Sequence, residues 1–322
     1  MVMRKAKKAT RKAFAERMKE YGAHDPSFVV FEADIGYSTY SYLFGDEYPD
    51  RYFNMGIAEA NMVGAAAGMA AGGRTVIACG YGVFLSMRAL ETVRTFICYP
   101  NLNVKFLSSH GGVTAAIDGV THQATEDIGM VTTLPNMSVV APADENAARA
   151  MVEVAVNTPG PVFVRAMRDP LYNIYDADET FETGGSKIVR DGADITIVSY
   201  GDILFEALEA AEELRRMGIS AEVIDMYSIK PFDKATLLGS LEKTGALLVA
   251  ENHQKRNGLG YELAAFCLTN KPVPFDHLGL QDTFAESGNY YKVLDKYGLS
   301  HNHIVAAAGS VVKKKQAEVA FA

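Results

Sequence analysis

Arg51-Tyr-Phe-Asn-Met-Gly-Ile-Ala-Glu-Ala-Asn-Met-Val-Gly64 carries one carboxylate, Glu59, in an otherwise small and apolar run. Ala58, Met62, Ala65 and Met69 share one side at helical spacing, and Gly64, Gly68, Gly72 and Gly73 let other backbone approach closely. An acid opening such a helix is desolvated if the helix packs into a core. Burial then favours the protonated form and suits the group to handling a proton. The plainer alternative is an acid that merely faces the positive end of the helix dipole.

Outward from this helix, strands alternate with helices. Residues 27–31 read as a short buried strand that runs into the loop Glu32-Ala-Asp34-Ile-Gly-Tyr-Ser38, at the end of a strand where open α/β sheets place their ligands. Further strands are expected at 75–79, 103–107, 138–141 and 161–165, with a helix over 83–96 and another after Asp144, a plausible N-cap. The pattern predicts a mainly parallel sheet covered on both faces. Periodicity is lost after Arg168, where Pro170, Gly184, Gly185 and the carboxylates Asp176, Asp178, Glu179 and Glu182 mark a surface linker. A second α/β series follows, with strands at 194–198, 221–224 and 246–249, an apolar helix face of Leu204, Leu208, Ala211 and Leu214, a helix opened by Gly258-Leu-Gly260, and a closing helix beyond Ile304. The fold class is therefore α/β in two consecutive domains, 1–175 and 193–322, joined by a linker over 176–192.

Composition narrows the function. The 322 residues are 48% hydrophobic, enough to bury two cores, and the net charge of -8 argues against a general nucleic-acid surface. The basic opening (Arg4, Lys5, Lys7, Lys8, Arg11 and Lys12) lacks an apolar core and a cleavage site, and reads as the solvated face of a first helix running to Met18. No apolar run reaches membrane-spanning length. Cys79, Cys98 and Cys267 have no metal-type spacing, so reduced thiols in a cytoplasmic protein are expected.

The richest polar segment is Ser109-His-Gly-Gly-Val-Thr-Ala-Ala-Ile-Asp-Gly-Val-Thr-His-Gln123. His110, Asp118 and His122 match no strong metal pattern, and no metal is assigned to them. They suit hydrogen bonding to hydroxyls and phosphate, with histidine able to shuttle protons. Arg165, at a strand's C-terminal end, is expected to point its planar fork into the same crevice.

Gly56-Ile-Ala-Glu59, Phe84 ahead of Arg94, Ser109-His110 with Asp118-Gly-Val-Thr-His122-Gln, and Pro135-Asn-Met137 together resemble transketolase, over its pyrimidine-binding and C-terminal domains. The resemblance implies that Glu59 hydrogen-bonds the aminopyrimidine of thiamine diphosphate, and that an aromatic stacks on that ring. The helix here is two residues shorter than usual in that family, which leaves Phe84, Tyr81 and Leu85 as candidates for the stacking residue. By the same resemblance Asp34 lies near the thiazolium side. Arg11, Ser38, His110 and Arg165 match positions that hold the sugar phosphate, and Asp118 and His122 match positions that meet the donor's hydroxyls. The catalytic set is then Glu59, His110 and His122.

Such enzymes bind the cofactor's diphosphate through a metal held by a Gly-Asp-Gly segment, and this sequence has no Gly-Asp-Gly. The resemblance therefore implies the C-terminal subunit of a split transketolase. A separate N-terminal subunit would carry the diphosphate and the Mg2+ or Ca2+ site, in a self-associating α2β2 assembly that transfers a ketol unit between sugar phosphates. Deoxyxylulose-phosphate synthase, a 2-oxo acid dehydrogenase β subunit and a non-catalytic scaffold are the alternatives. The family of the first usually has arginine near His110, and the second fits His122 and Arg11 poorly. A scaffold gains nothing from a desolvated acid. The C-terminal domain shows no catalytic cluster and reads as an assembly element.

Overall fold

Runs of β-branched and aromatic residues form the strands of two main sheets in the computed structural model, which describes residues 4–321. In chain order the strands are β1 (Arg4–Lys5), β2 (Val29–Glu32), β3 (Tyr52–Asn54), β4 (Val76–Tyr81), β5 (Val104–Ser109), β6 (Ser138–Val140), β7 (Val162–Arg165), β8 (Tyr172–Asn173), β9 (Lys187–Arg190), β10 (Ile195–Ser199), β11 (Ala221–Asp225), β12 (Ser228–Lys230), β13 (Leu247–Gln254) and β14 (Phe275–Leu280). The first sheet has the order β12-β6-β7-β5-β4-β2-β3 and is parallel except where β12 meets β6. The second has the order β14-β13-β10-β11-β9 and is parallel except where β9 meets β11. Every residue of β4 and of β5 is buried, as expected of parallel strands covered on both faces.

Helices supply that cover. Thr10–Gly22 and Glu145–Asn157 pack together on one face of the first sheet, where Phe14, Met18, Met151 and Val152 join the strand residues Val30, Ile77 and Leu107. Asp144 caps the second of these by accepting the Ala147 N–H at 2.8 Å. The helix Glu59–Ala71 lies on the other face with Met62, Val63, Ala66 and Ala70 inward, against Ala78, Leu85 and Ile97. In the second sheet's cover, Leu204, Leu208, Ala211 and Leu214 of the helix Ile203–Arg216 are all buried, as their spacing predicts.

Three details differ from the sequence reading. The first helix begins only at Thr10 and runs to Gly22, so of the basic opening Arg11 and Lys12 lie on it, while Arg4 and Lys5 pair with Asn173 and Tyr172. The expected surface linker keeps Asp176, Asp178 and Glu182 exposed, but its Phe181 ring is docked and its residues 187–190 form β9 of the second sheet. Tyr175 is buried, and the Phe181 ring meets those of Tyr175 and Tyr227 edge-on, each at 5.0 Å. Finally, β12 follows the linker in sequence yet extends the first sheet, pairing Ser228 with Val140 and Lys230 with Val139. The three cysteines are buried and unpaired. Among the described residues no helix is long and apolar enough to cross a membrane.

Strand order reverses direction within the first sheet. The chain steps from β2 outward to β3, returns to β4 on the other side of β2, then continues to β5. Crevices at such reversals, beyond the carboxyl ends of the strands, are where open α/β sheets hold ligands.

Candidate active site

The segments leaving β2, β4, β5 and β7 converge at that crevice. After β2, Glu32 is buried and its Oε2 accepts the Ile35 N–H at 2.6 Å, which shapes the loop that carries Asp34 and Ser38. Burial, the dominant influence, pushes the Glu32 carboxyl above the usual range, partly opposed by backbone N–H donors. Asp34 is exposed, sits at φ +59° and accepts from Asn54 Nδ2 at 3.1 Å, so it flanks the segment entering the Glu59 helix.

Glu59 opens its helix and is only 2% exposed. Its Oε2 accepts from Arg88 Nη1 at 2.9 Å, and the Arg88 guanidinium lies 4.4 Å from the centre of the Phe84 ring. Phe84 and Arg88 begin and end a π-helical turn in which the Ala89 N–H reaches back to the Phe84 carbonyl at 3.2 Å. Such one-turn widenings are frequent at functional sites, and here the wide turn puts Phe84 at the crevice while Leu85 goes inward. Leu85 lies against Gly80, where a Cβ would come within 2.8 Å of its Cγ, so Leu85 belongs to the core. The crevice aromatics are Phe84 and Tyr81, with ring centres 5.8 Å apart.

These aromatics lead directly to the histidines. The His122 ring stands edge-on to both Tyr81 and Phe84 at 5.5 Å, and the His110 ring is 4.2 Å from Tyr81. His110 is buried at φ +64°. Its Nε2 faces Arg11 Nη1 at 3.3 Å, which leaves Nδ1 to donate to Ser109 Oγ at 2.9 Å. Burial above all, then the charges of Arg11 and Arg168 and the neighbouring His122, push the His110 imidazole down to about 2, so it is neutral at physiological pH.

Arg11 closes the far end. It donates from Nε to the Arg168 carbonyl at 2.9 Å, from Nη1 to the Ser38 carbonyl, and its guanidinium lies over the Tyr40 ring. Burial lowers its pKa most, Tyr40 works against this, and the like charge of Arg168 adds to the lowering. Arg168 itself is half-buried, with Nε 3.7 Å from Asp118 Oδ2. The site is thus a wall running from the acid Glu59, across Phe84, Tyr81 and the two histidines, to a cationic end formed by Arg11 and Arg168.

Arg165 does not point into this crevice, contrary to expectation. It is only 4% exposed and grips Asp127 with two hydrogen bonds of 2.8 and 3.0 Å. Its Nη2 also donates to the carbonyls of Ala124 and Asn252. The reason is positional: Arg165 is the last residue of β7, aimed into a packed layer, whereas Arg168 lies three residues beyond the strand and reaches the mouth. In the sequence Arg168 reads only as the start of the linker. Asp118 and His122 sit on the open side, and Thr121 Oγ1 meets His122 Nδ1 at 2.8 Å.

Comparison with known proteins gives a consistent picture. The family model for the transketolase pyrimidine-binding domain matches residues 6–173, and the one for the transketolase C-terminal domain matches residues 184–304. A protein named 6-deoxy-6-sulfo-D-fructose transketolase subunit SqwH, from Clostridium sp. (strain MSTE9), is 37% identical over 95% of this chain and 95% of its own length. One of the apulose-4-phosphate transketolase subunits of Phocaeicola vulgatus is 35% identical over 95% of this chain and 98% of its own. A solved structure described as a split gene transketolase, inactive beta4 tetramer, superposes with a TM-score of 0.88 at 39% identity, covering 95% of this chain and 99% of that one.

Proposed function

The chain belongs to the transketolase family, and from that membership we propose that it is the C-terminal subunit of a split, thiamine-diphosphate-dependent transketolase. The observation that carries the reading is the wall from buried Glu59 to the Arg11–Arg168 end. It offers one acid, aromatic faces, neutral imidazole and a cationic terminus in the sequence that an anionic ketose on an aminopyrimidine cofactor requires. The two halves of the match, over 6–173 and 184–304, support two consecutive domains as proposed over 1–175 and 193–322, with the later part of the 176–192 segment going with the second.

The residues present fit the pyrimidine end of thiamine diphosphate, because Glu59 is a carboxylate almost wholly withdrawn from water and linked through Arg88 to the Phe84 ring. When bound, thiamine diphosphate would supply the nucleophilic carbon that accepts the two-carbon unit. Glu59 would hydrogen-bond the pyrimidine ring nitrogen and hold its proton, and Phe84 or Tyr81 would stack on the ring. Asp34 would flank the cofactor's other ring. His122 and Asp118 would hydrogen-bond the sugar hydroxyls. His110, held neutral, would accept a hydrogen bond from a sugar hydroxyl at Nε2 and orient it there. Arg11 and Arg168, with Ser38 beside them, would hold the distal anion. Of the two relatives' names, one carries a sulfonated sugar and the other a phosphate, and a paired guanidinium site accepts either anion. The substrates are accordingly an anionic ketose donor and an aldose phosphate acceptor.

Among the described residues no group of three His, Cys, Asp or Glu side chains is placed to hold a metal. In this reading the diphosphate and its Mg2+ or Ca2+ are held by an N-terminal partner subunit, as the lack of a Gly-Asp-Gly segment in this sequence implies. Exposed Ile57, Met87 and Phe96, at or beside the Glu59 helix and the helical segment packed on it, support a docking face there, within an α2β2 assembly in the cytoplasm. The test is reconstitution: this chain and the N-terminal subunit, with thiamine diphosphate and Mg2+, are assayed for ketol transfer together and apart. Transfer by the mixture alone is expected, and Glu59→Gln lowers it by at least about 100-fold. An unchanged rate in that variant sinks the catalytic reading.

A further inference from the structure

The loop over residues 111–124, which carries Asp118 and His122, has as its regular structure only a short 3-10 helix over Val113–Asp118, kinked at Ala116. Gly112, Ala116 and Gly119 all take positive φ, at 58°, 50° and 77°. A loop held in such sparsely populated conformations persists only when its surroundings fix it. Its neck is closed by the pair Gly112 N–H to Ala124 carbonyl at 2.8 Å and Ala124 N–H to Gly112 carbonyl at 3.0 Å.

The rest of the grip comes from the C-terminal domain. Asn252, at the end of β13 and fully buried, accepts the Val113 N–H on Oδ1 at 2.9 Å. Its Nδ2 donates to Asp202 Oδ2 at 2.6 Å, which also accepts the Tyr290 hydroxyl at 2.6 Å. The Asn252 carbonyl accepts from Arg165 Nη2, and the same nitrogen donates to the Ala124 carbonyl. One residue therefore holds both sides of the neck, Val113 directly and Ala124 through Arg165. Beside the neck, Gln123 Nε2 donates to the Glu286 carbonyl at 3.1 Å, and nearer the tip the Gly288 N–H donates to the Ala116 carbonyl at 3.3 Å.

We propose that the C-terminal domain positions the loop bearing Asp118 and His122, with Asn252 as the positioning residue. Packing between domains alone would need no buried amide committed at both ends, one of them to the backbone of an irregular loop. The loop side of the contact also leaves no slack, since a Cβ on Gly112 would fall 2.3 Å from Asn252 Cγ. The kinetic arm of the test rests on the function proposed above; the exchange arm does not.

The experiment compares wild type, Asn252→Ala, Asn252→Asp and the pair Asn252→Asp with Asp202→Asn, each assembled with the N-terminal subunit, thiamine diphosphate and Mg2+. In Asn252→Ala, amide hydrogen exchange in 111–124 rises roughly 10-fold, the scale of one lost buried hydrogen bond. kcat/KM for the ketose donor falls about 10- to 100-fold from misplacement of the loop, while cofactor affinity stays as in wild type. Asn252→Asp alone sets two carboxylates against each other and behaves as badly. Adding Asp202→Asn reverses donor and acceptor, with the Tyr290 hydroxyl turning to accept the new amide's second N–H, and so restores the bond and recovers both readouts. Unchanged loop exchange in Asn252→Ala, or no recovery in the double variant with exchange raised evenly across the C-terminal domain, overturns the proposal. A wild-type assembly that transfers nothing overturns the functional reading, and the exchange result still decides the clamp.

Discussion

Arg165 and Arg168 stand three positions apart at one strand exit and serve opposite ends. Arg165 is a buried ion-pair partner of Asp127, and removing one member of such a pair strands the other. Arg165→Ala should lose about 3–5 kcal/mol in urea unfolding. Arg168→Ala should leave the unfolding midpoint close to wild type, because its contacts are longer and partly solvated. In the assembled enzyme its KM for an anionic ketose should rise about 10-fold or more with kcat little changed, the pattern of lost uniform binding. Equal effects of the two substitutions on stability would contradict the assignment. Much of the site was legible residue by residue: Glu59, Tyr81, Phe84, His110 and His122 line one crevice as their motifs imply. Which of two nearby arginines faced it was not. That depends on where β7 stops and which layer its last side chain enters, and composition carries neither.

At the level of elements, local pattern served wherever the constraint was local. The Glu59 helix, the apolar strands and the Asp144 cap all follow from spacing and capping chemistry. Pairings between distant segments did not follow, as with β1 on β8 and β12 on β6, since two- and three-residue strands have no periodicity to read. The polar group of Tyr200, Asp202, Glu251, Asn252 and His277 was also missed as a unit, being assembled from β13, β14 and the segment after β10. The loop over 111–124 offers a sharp test of its fit. Gly112→Ala places a methyl against both the side chain and the carbonyl of Asn252 at a positive φ, and should cost about 2–4 kcal/mol. Gly218→Ala, at φ +83° with open space around it, should cost only about 1 kcal/mol, and paired urea melts compare the two.

For the whole molecule, the junction between domains carries a buried acid. Asp225, at the end of β11, accepts the Tyr175 hydroxyl at 2.5 Å and lies near Asp144, and burial pushes its carboxyl up to about 8. The fold therefore binds a proton that the unfolded chain, with a carboxyl near about 4, has released. Stability from this group is present at low pH and is lost as pH rises through the window from about 4 to about 8, by at most about 1.4 kcal/mol per pH unit. Asp225→Asn should remove that slope, so wild type gains on the variant in urea unfolding as the pH falls from 8 to 5. A difference independent of pH would refute the assignment.

The antiparallel strand β12 has a consequence for recombination between relatives. A crossover point placed in residues 176–192 would take the first sheet from one parent and its rim strand from the other. Viable chimeras are those in which residues 138–140 and 228–230 descend from the same parent. The heritable module is drawn by strand pairing, not by the seam visible in the sequence.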